Sequence, residues 1–173
     1  PVPSGKRFPV NLKTTLIAGV VILGLIGSLR AEPPAPAAPQ PAPEMIFFFG
    51  DSITKAGGYV RTIKDELIKR NPSNPPQIHN FGHMSETVSG LSEAYHPGRR
   101  PCVLNWVDAV LSEKPTWIVA CYGINDGIYH PFSEKRFAAY QNGIQTLIKK
   151  VNASGAHLVL LTPPPFASEG PPF

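Results

Sequence analysis

Cysteine is scarce: the 173-residue chain has two, Cys102 and Cys121. They form neither a CxxC pair nor a disulfide framework, which sets aside thiolate metal sites and disulfide-stapled miniature folds. Cys121 sits in the apolar run Trp117 to Tyr122 and reads as a buried small hydrophobe. A Cys102–Cys121 bridge stays open only for a protein exported to an oxidising compartment. No Gly-x-Gly-x-x-Gly or P-loop pattern follows any expected strand, so an anion- or phosphate-binding domain is disfavoured. No two histidines share ligand spacing on one helix, and neither a metal nor a cofactor is expected. There is no internal repeat at a fixed period.

Acid is also missing from one end. No Asp or Glu precedes Glu32, whereas Lys6, Arg7, Lys13 and Arg30 do. Of the 16 Lys+Arg, the other 12 follow Arg30 and face 12 Asp+Glu, so the net +4 belongs to the leader. The remainder is formally neutral. Without a basic stripe, nucleic acid is not an expected partner.

The chain has no long hydrophobic run. Leu16 to Leu29 is shorter than the roughly 20 apolar residues a transmembrane helix uses, and Gly19, Gly24 and Gly27 interrupt it. Residues 1–31 therefore read first as an export signal, with a basic n-region and cleavage after Ala31, although Leu29 is a poor residue at −3. An uncleaved anchor over residues 16–29 is the alternative. No cysteine follows the run, which excludes a lipoprotein anchor. The expected location is extracytoplasmic, periplasmic or secreted, with membrane contact only through this segment. Residues 32–44 (EPPAPAAPQPAPE) are a Pro/Ala tether that favours extended polyproline II. The folded domain is expected over 45–173.

What is present is an alternation of apolar runs and helical periodicity. Met45 to Phe49 reads as a buried strand that leaves the sheet through Gly50-Asp51-Ser52. Tyr59, Val60, Ile63, Leu67 and Ile68 predict an amphipathic helix over Gly58 to Arg70. Gln77 to Phe81 is a second strand. Gly82 to Leu91 suits a turn entering a helix whose free N–H groups could receive an anion. A helix is expected over Val103 to Glu113, a strand over Trp117 to Tyr122, a helix over Glu134 to Val151 and a strand over His157 to Leu161. Strands joined by helical crossovers predict a parallel, doubly wound α/β sheet covered on both faces.

In such folds chemistry collects at the carboxyl ends of the strands. There the chain offers Ser52 after the first strand, a Gly/Ser turn after the second and Asn125 after the third. Acyl transfer needs a nucleophile and, within reach, donors for the oxyanion of a tetrahedral intermediate. A serine, an asparagine amide and backbone N–H groups make such a set.

At these residues the chain resembles the GDSL, or SGNH, hydrolases. Gly50-Asp51-Ser52-Ile53-Thr54 is similar to the family's first block and Gly123-Ile124-Asn125-Asp126 to its third. Asn80-Phe81-Gly82-His83-Met84-Ser85-Glu86-Thr87 is similar to the second, and the likeness runs from about Met45 to Pro165. The resemblance implies a three-layer α/β/α, flavodoxin-like fold and hydrolysis of small acyl or acetyl esters, including those on carbohydrate. It makes Ser52 the nucleophile and an oxyanion donor through its own N–H, with Asn125 donating its side-chain amide. The second block's backbone donor falls on Ser85 where the family has glycine, with Gly82 three residues earlier. Gly50 and Gly123 support the turns, and Asp51 and Asp126 brace loops.

One family element is absent. The general base is expected in a late Asp-x-x-His block, and no Asp-x-x-His occurs in these 173 residues. Of the five histidines, His79 and His157 fall in strands, while His83, His96 and His130 fall in loops at or near the active edge, where each is a candidate substitute base. The expectation is a member truncated before its last strand and helix, weak or inactive by itself. The competing reading is a relic or carbohydrate-binding module with the same fold.

Overall fold

At the centre of the sheet lies β1 (Met45–Gly50). Its three phenylalanines, Phe47, Phe48 and Phe49, are fully buried, and each contributes on the order of 2–3 kcal/mol of hydrophobic stabilisation. The computed structural model describes residues 40–127 and 131–164. All of these fall in one unit, Pro39–Phe173. The expected signal or anchor at 1–31, most of the Pro/Ala tether, and His130 lie outside the described residues. Among the described residues no helix is long and apolar enough to cross a membrane.

After β1 come α1 (Ser52–Ala56), α2 (Gly58–Arg70) and β2 (Gln77–Gly82). A 3-10 turn (Val103–Asn105), α3 (Val107–Leu111) and β3 (Trp117–Cys121) follow a long loop. Then come α4 (Ile124–Gly127), α5 (Glu134–Ser154) and β4 (His157–Leu161). The strands are all parallel in the order β2-β1-β3-β4. The chain moves from β1 to one side through α2 and then returns across it to β3. Right-handed crossovers in opposite directions put helices on opposite faces and create a switch point beside β1.

Alternation along β1 divides the core accordingly. Ile46 and Phe48 pack with Val60 and Val119, joined by Tyr59, Ile63 and Leu67 of α2. Phe47 and Phe49 pack on the other face with Val103, Val107, Leu111, Leu147 and Val151 from the 3-10 turn, α3 and α5. The four expected strands and the helices at Gly58 and Glu134 are present, within a few residues of their predicted ends.

Three segments differ from the sequence expectation. Ser52–Ala56 is already helical, and Gly57 at φ 75° separates it from α2. No helix follows Gly82 to Leu91; residues 83–102 form a loop with a single bridge, Thr87 to Cys102. The N–H groups that would start a helix are already used, because those of Val88 and Ser89 donate to the Asp126 carboxylate at 3.1 and 2.8 Å and that of Thr87 to Pro101 O at 3.0 Å. The helix expected over Val103 to Glu113 is divided at Trp106 (φ −131°, ψ −13°), whose indole N–H donates to Glu86 Oε1 at 2.7 Å. The two cysteines are free and buried rather than bridged.

Candidate active site

Strand register brings three turns to one edge. Gly50 ends β1 and is paired with Gly82 of β2 on one side and Cys121 of β3 on the other. Ser52, Ser85 and Asn125 therefore leave the sheet from adjacent strands at the same level. Two glycines permit the close approach this needs. A Cβ on Gly50 would lie 2.0 Å from Thr54 Oγ1 and 2.9 Å from Cys121 O, and one on Gly82 would lie 2.2 Å from the Lys55 amide nitrogen. With no side chain at either position, α1 sits directly on the strand ends.

Ser52 is half-buried at the first position of α1. Asp51 precedes it in extended conformation and accepts the Ile53 N–H at 2.9 Å, a side-chain N-cap. Burial is the larger influence on Asp51 and raises its pKa against the lowering effect of that hydrogen bond. The turn is tied to its neighbour twice: His83 N–H donates to Gly50 O at 2.9 Å, and Asn80 Nδ2 donates to Thr54 O at 2.7 Å.

Ser85 has φ 58°. That left-handed conformation costs a residue with a Cβ about 1–2 kcal/mol and glycine almost nothing. Ser85 thus occupies the backbone region that favours the glycine expected here. Next to it, Glu86 is fully buried and accepts from Trp106 Nε1 at 2.7 Å and from Tyr122 OH at 2.8 Å. His83 Nδ1 lies 3.6 Å from Glu86 Oε1 and its ring packs edge-on to Trp106. Burial raises the Glu86 pKa, opposed by these donors.

Asn125 lies in α4, 5% exposed. Its Nδ2 donates to Glu86 O at 3.1 Å and its Oδ1 accepts from Arg100 Nη1 at 3.3 Å. A carboxamide nitrogen has two hydrogens, so one remains for a ligand. Asp126, also buried, holds the Val88 and Ser89 amides, and burial raises its pKa. Beside α4 opens a cleft of about 350 Å³ whose lining includes Gly123, Asp126, Phe132, Arg136, Phe137 and Tyr140. Neither Ser52 nor Ser85 lines it.

The histidines are distributed as follows. His79 packs against Phe47 in the sheet and His157 against Trp117. The His96 Nδ1–H donates to Gly98 O at 2.8 Å in the long loop. His83, one residue past β2, is tied to Gly50 and faces a carboxylate. Among the described residues no group of His, Cys, Asp and Glu is arranged to hold a metal ion.

Sequence reasoning missed Arg100, Glu93, Trp106 and Tyr122, and quoted Glu86 without a role for it. Arg100 forks onto Glu93, Nε to Oε2 at 2.6 Å and Nη2 to Oε1 at 2.5 Å, with both side chains buried. A Glu and an Arg seven residues apart in a loop carry no signal that distinguishes them from solvated charges.

The fold is thus a parallel, doubly wound α/β sheet that carries a serine, a left-handed turn and an asparagine amide at one carboxyl edge. The family model described as GDSL-like lipase/acylhydrolase matches residues 48–173, and the chain belongs to that family. Solved structures share the fold. An acetyl xylan esterase, AlAXEase, is 23% identical with a TM-score of 0.51, over 67% of this chain and 56% of that one. The W215I form of Axe2, an acetyl xylan esterase from Geobacillus stearothermophilus, is 24% identical with a TM-score of 0.53, over 69% and 59%. A putative lipolytic protein of the G-D-S-L family from Desulfitobacterium hafniense DCB-2 is 21% identical with a TM-score of 0.51, over 72% and 62%. The chain spans less than two thirds of the length of each. No curated protein matches it.

Proposed function

We propose that the protein hydrolyses carboxylic esters, acyl or acetyl groups including those on carbohydrate, through an acyl-enzyme on Ser52. The observation that carries this reading is the register of Gly50, Gly82 and Cys121, which sets Ser52, Ser85 and Asn125 on adjacent turns. Ser52 Oγ attacks the ester carbonyl carbon and its proton passes to a base. The carbonyl oxygen becomes an oxyanion that accepts from the N–H groups of Ser52 and Ser85 and the remaining Asn125 Nδ2 hydrogen. Collapse expels the alcohol with that proton, and water releases the acid by the same route. The leader pattern supports work outside the cytoplasm, with either a cleaved signal or an anchor at residues 16–29.

The base is the open component. By resemblance it comes from an Asp-x-x-His block, and removing one triad member typically costs on the order of 10⁴–10⁶ in kcat. The 173-residue chain is expected to turn over p-nitrophenyl acetate feebly, and the same chain extended through an Asp-x-x-His block is expected to be active and silenced by Ser52→Ala. Turnover by the extended protein that survives Ser52→Ala overturns the proposal.

A second reading has one observation in its favour. Glu86 faces Nδ1 of His83 at 3.6 Å, the relation by which a carboxylate orients a catalytic imidazole. If His83 is the base, the 173-residue chain turns over robustly and His83→Gln removes most of that activity.

A further inference from the structure

Asn125 can donate to an oxyanion only if its carboxamide is held with nitrogen and oxygen the right way round. Two neighbours fix that. Glu86 O can only accept, so it selects the Nδ2 side at 3.1 Å. A guanidinium can only donate, so Arg100 Nη1 selects the Oδ1 side at 3.3 Å. With either replaced by a group able to do both, the amide could turn over.

Arg100 is itself fixed. Glu93 accepts from its Nε and Nη2, and the two side chains are 7% and 4% exposed. The same Nη1 lies 3.5 Å from Ser85 O, the carbonyl of the residue held at φ 58°. One buried cation therefore touches two of the three turns at the edge. Charge on the donor also polarises the amide it binds and strengthens the opposite N–H as a donor.

We infer that Arg100, clamped by Glu93, is a positioning residue that sets the Asn125 carboxamide as a donor to the developing oxyanion. Its catalytic part rests on the function proposed above; the positioning part does not. Arg100 acts through Asn125.

The test replaces both members of the ion pair, Arg100→Met with Glu93→Met, so that no lone charge is buried. It uses the 173-residue chain. The side-chain amide protons of Asn125, assigned by their loss in Asn125→Ala, are followed by nitrogen-15 NMR exchange. The Asn80 amide, which donates to Thr54 O at 2.7 Å, is the internal reference. Exchange at Asn125 is expected to rise about tenfold or more, the scale of one lost hydrogen bond to a charged group, with Asn80 unchanged. Unchanged exchange at Asn125, or an equal rise at both amides, overturns the inference.

A second readout is the rate at which a fluorophosphonate captures Ser52. The double variant is expected to slow capture about 10- to 100-fold, less than loss of a whole oxyanion donor, and to add nothing in an Asn125→Ala background. A further slowing in that background means that Arg100 acts by another route and overturns the inference. If the parent chain is not captured at Ser52 at all, the catalytic proposal fails, and the Asn125 amide still decides whether Arg100 positions it.

Discussion

Glu86 and Glu93 are seven residues apart in the same loop, both with their side chains largely out of solvent, and their pKa values are shifted in opposite directions. Glu86 meets the neutral donors of Trp106 and Tyr122, with His83 at 3.6 Å, and burial, the largest influence, pushes its pKa up against all three. Glu93 meets a guanidinium fork, and that hydrogen-bonded pair holds its pKa at about 2. Burial dominates at Glu86 and the guanidinium dominates at Glu93, so the two shifts have different causes. Glu86 thereby serves as an acceptor that anchors the aromatic wall beneath the second turn, whereas Glu93 serves as a fixed anion that holds Arg100 against Asn125.

The largest effect is expected at Glu86. Glu86→Ala leaves the Trp106 N–H and Tyr122 OH without their acceptor and opens a void, for a loss of about 3–5 kcal/mol. Glu86→Gln keeps one acceptor oxygen and is expected to lose about 1–2 kcal/mol. Urea unfolding measures both, and equal losses would deny Glu86 its acceptor role. Next comes the other carboxylate. Arg100→Met alone strands the Glu93 charge and is expected to cost about 3 kcal/mol, while the Met/Met pair recovers most of it. If the pair variant is no more stable than the single one, Glu93 is not held as a buried anion.

The opposite shifts also separate the two in acid. Glu93 has a depressed folded-state pKa, so its contribution is present above the ordinary value of 4.5 and is lost as pH falls toward about 2. Glu86 has a raised one, so the folded state takes up its proton first and stability from that group grows as pH falls toward 4.5. Glu93→Gln is expected to flatten the stability profile between these limits and Glu86→Gln to flatten it above them. Identical profiles would erase the contrast. The smallest effect is expected beside them: Ser85→Gly relieves a left-handed Cβ and changes stability by about 0.5–1 kcal/mol in the favourable direction. A loss of stability would mean that the Ser85 hydroxyl carries weight of its own.

The sheet was legible because its signals are local. Phe47-Phe48-Phe49 and Ile118-Val119-Ala120 are apolar runs long enough for strands, and α2 and α5 carry helical periodicity over 13 and 21 residues. The Gly-Asp-Ser and Gly-Ile-Asn-Asp turns were legible for the same reason. Residues 83–106 were not. The backbone donors of Val88 and Ser89 are satisfied by Asp126, about 38 positions on, and Trp106 leaves its helix to reach Glu86 twenty positions back. The Arg100–Asn125 contact spans 25 positions. Such pairings exist only once the fold has formed, and nothing in composition or spacing announces them.

The central claim is that Ser52 is the nucleophile of an oxyanion-stabilised site. Incubating the 173-residue chain with a fluorophosphonate and mapping the adduct by mass spectrometry tests it directly, with alkaline pH letting hydroxide stand in for a base. The account predicts a single phosphonyl adduct on Ser52, absent in Ser52→Ala and slowed in Asn125→Ala. No adduct after prolonged incubation, or an adduct that persists in Ser52→Ala, would contradict it.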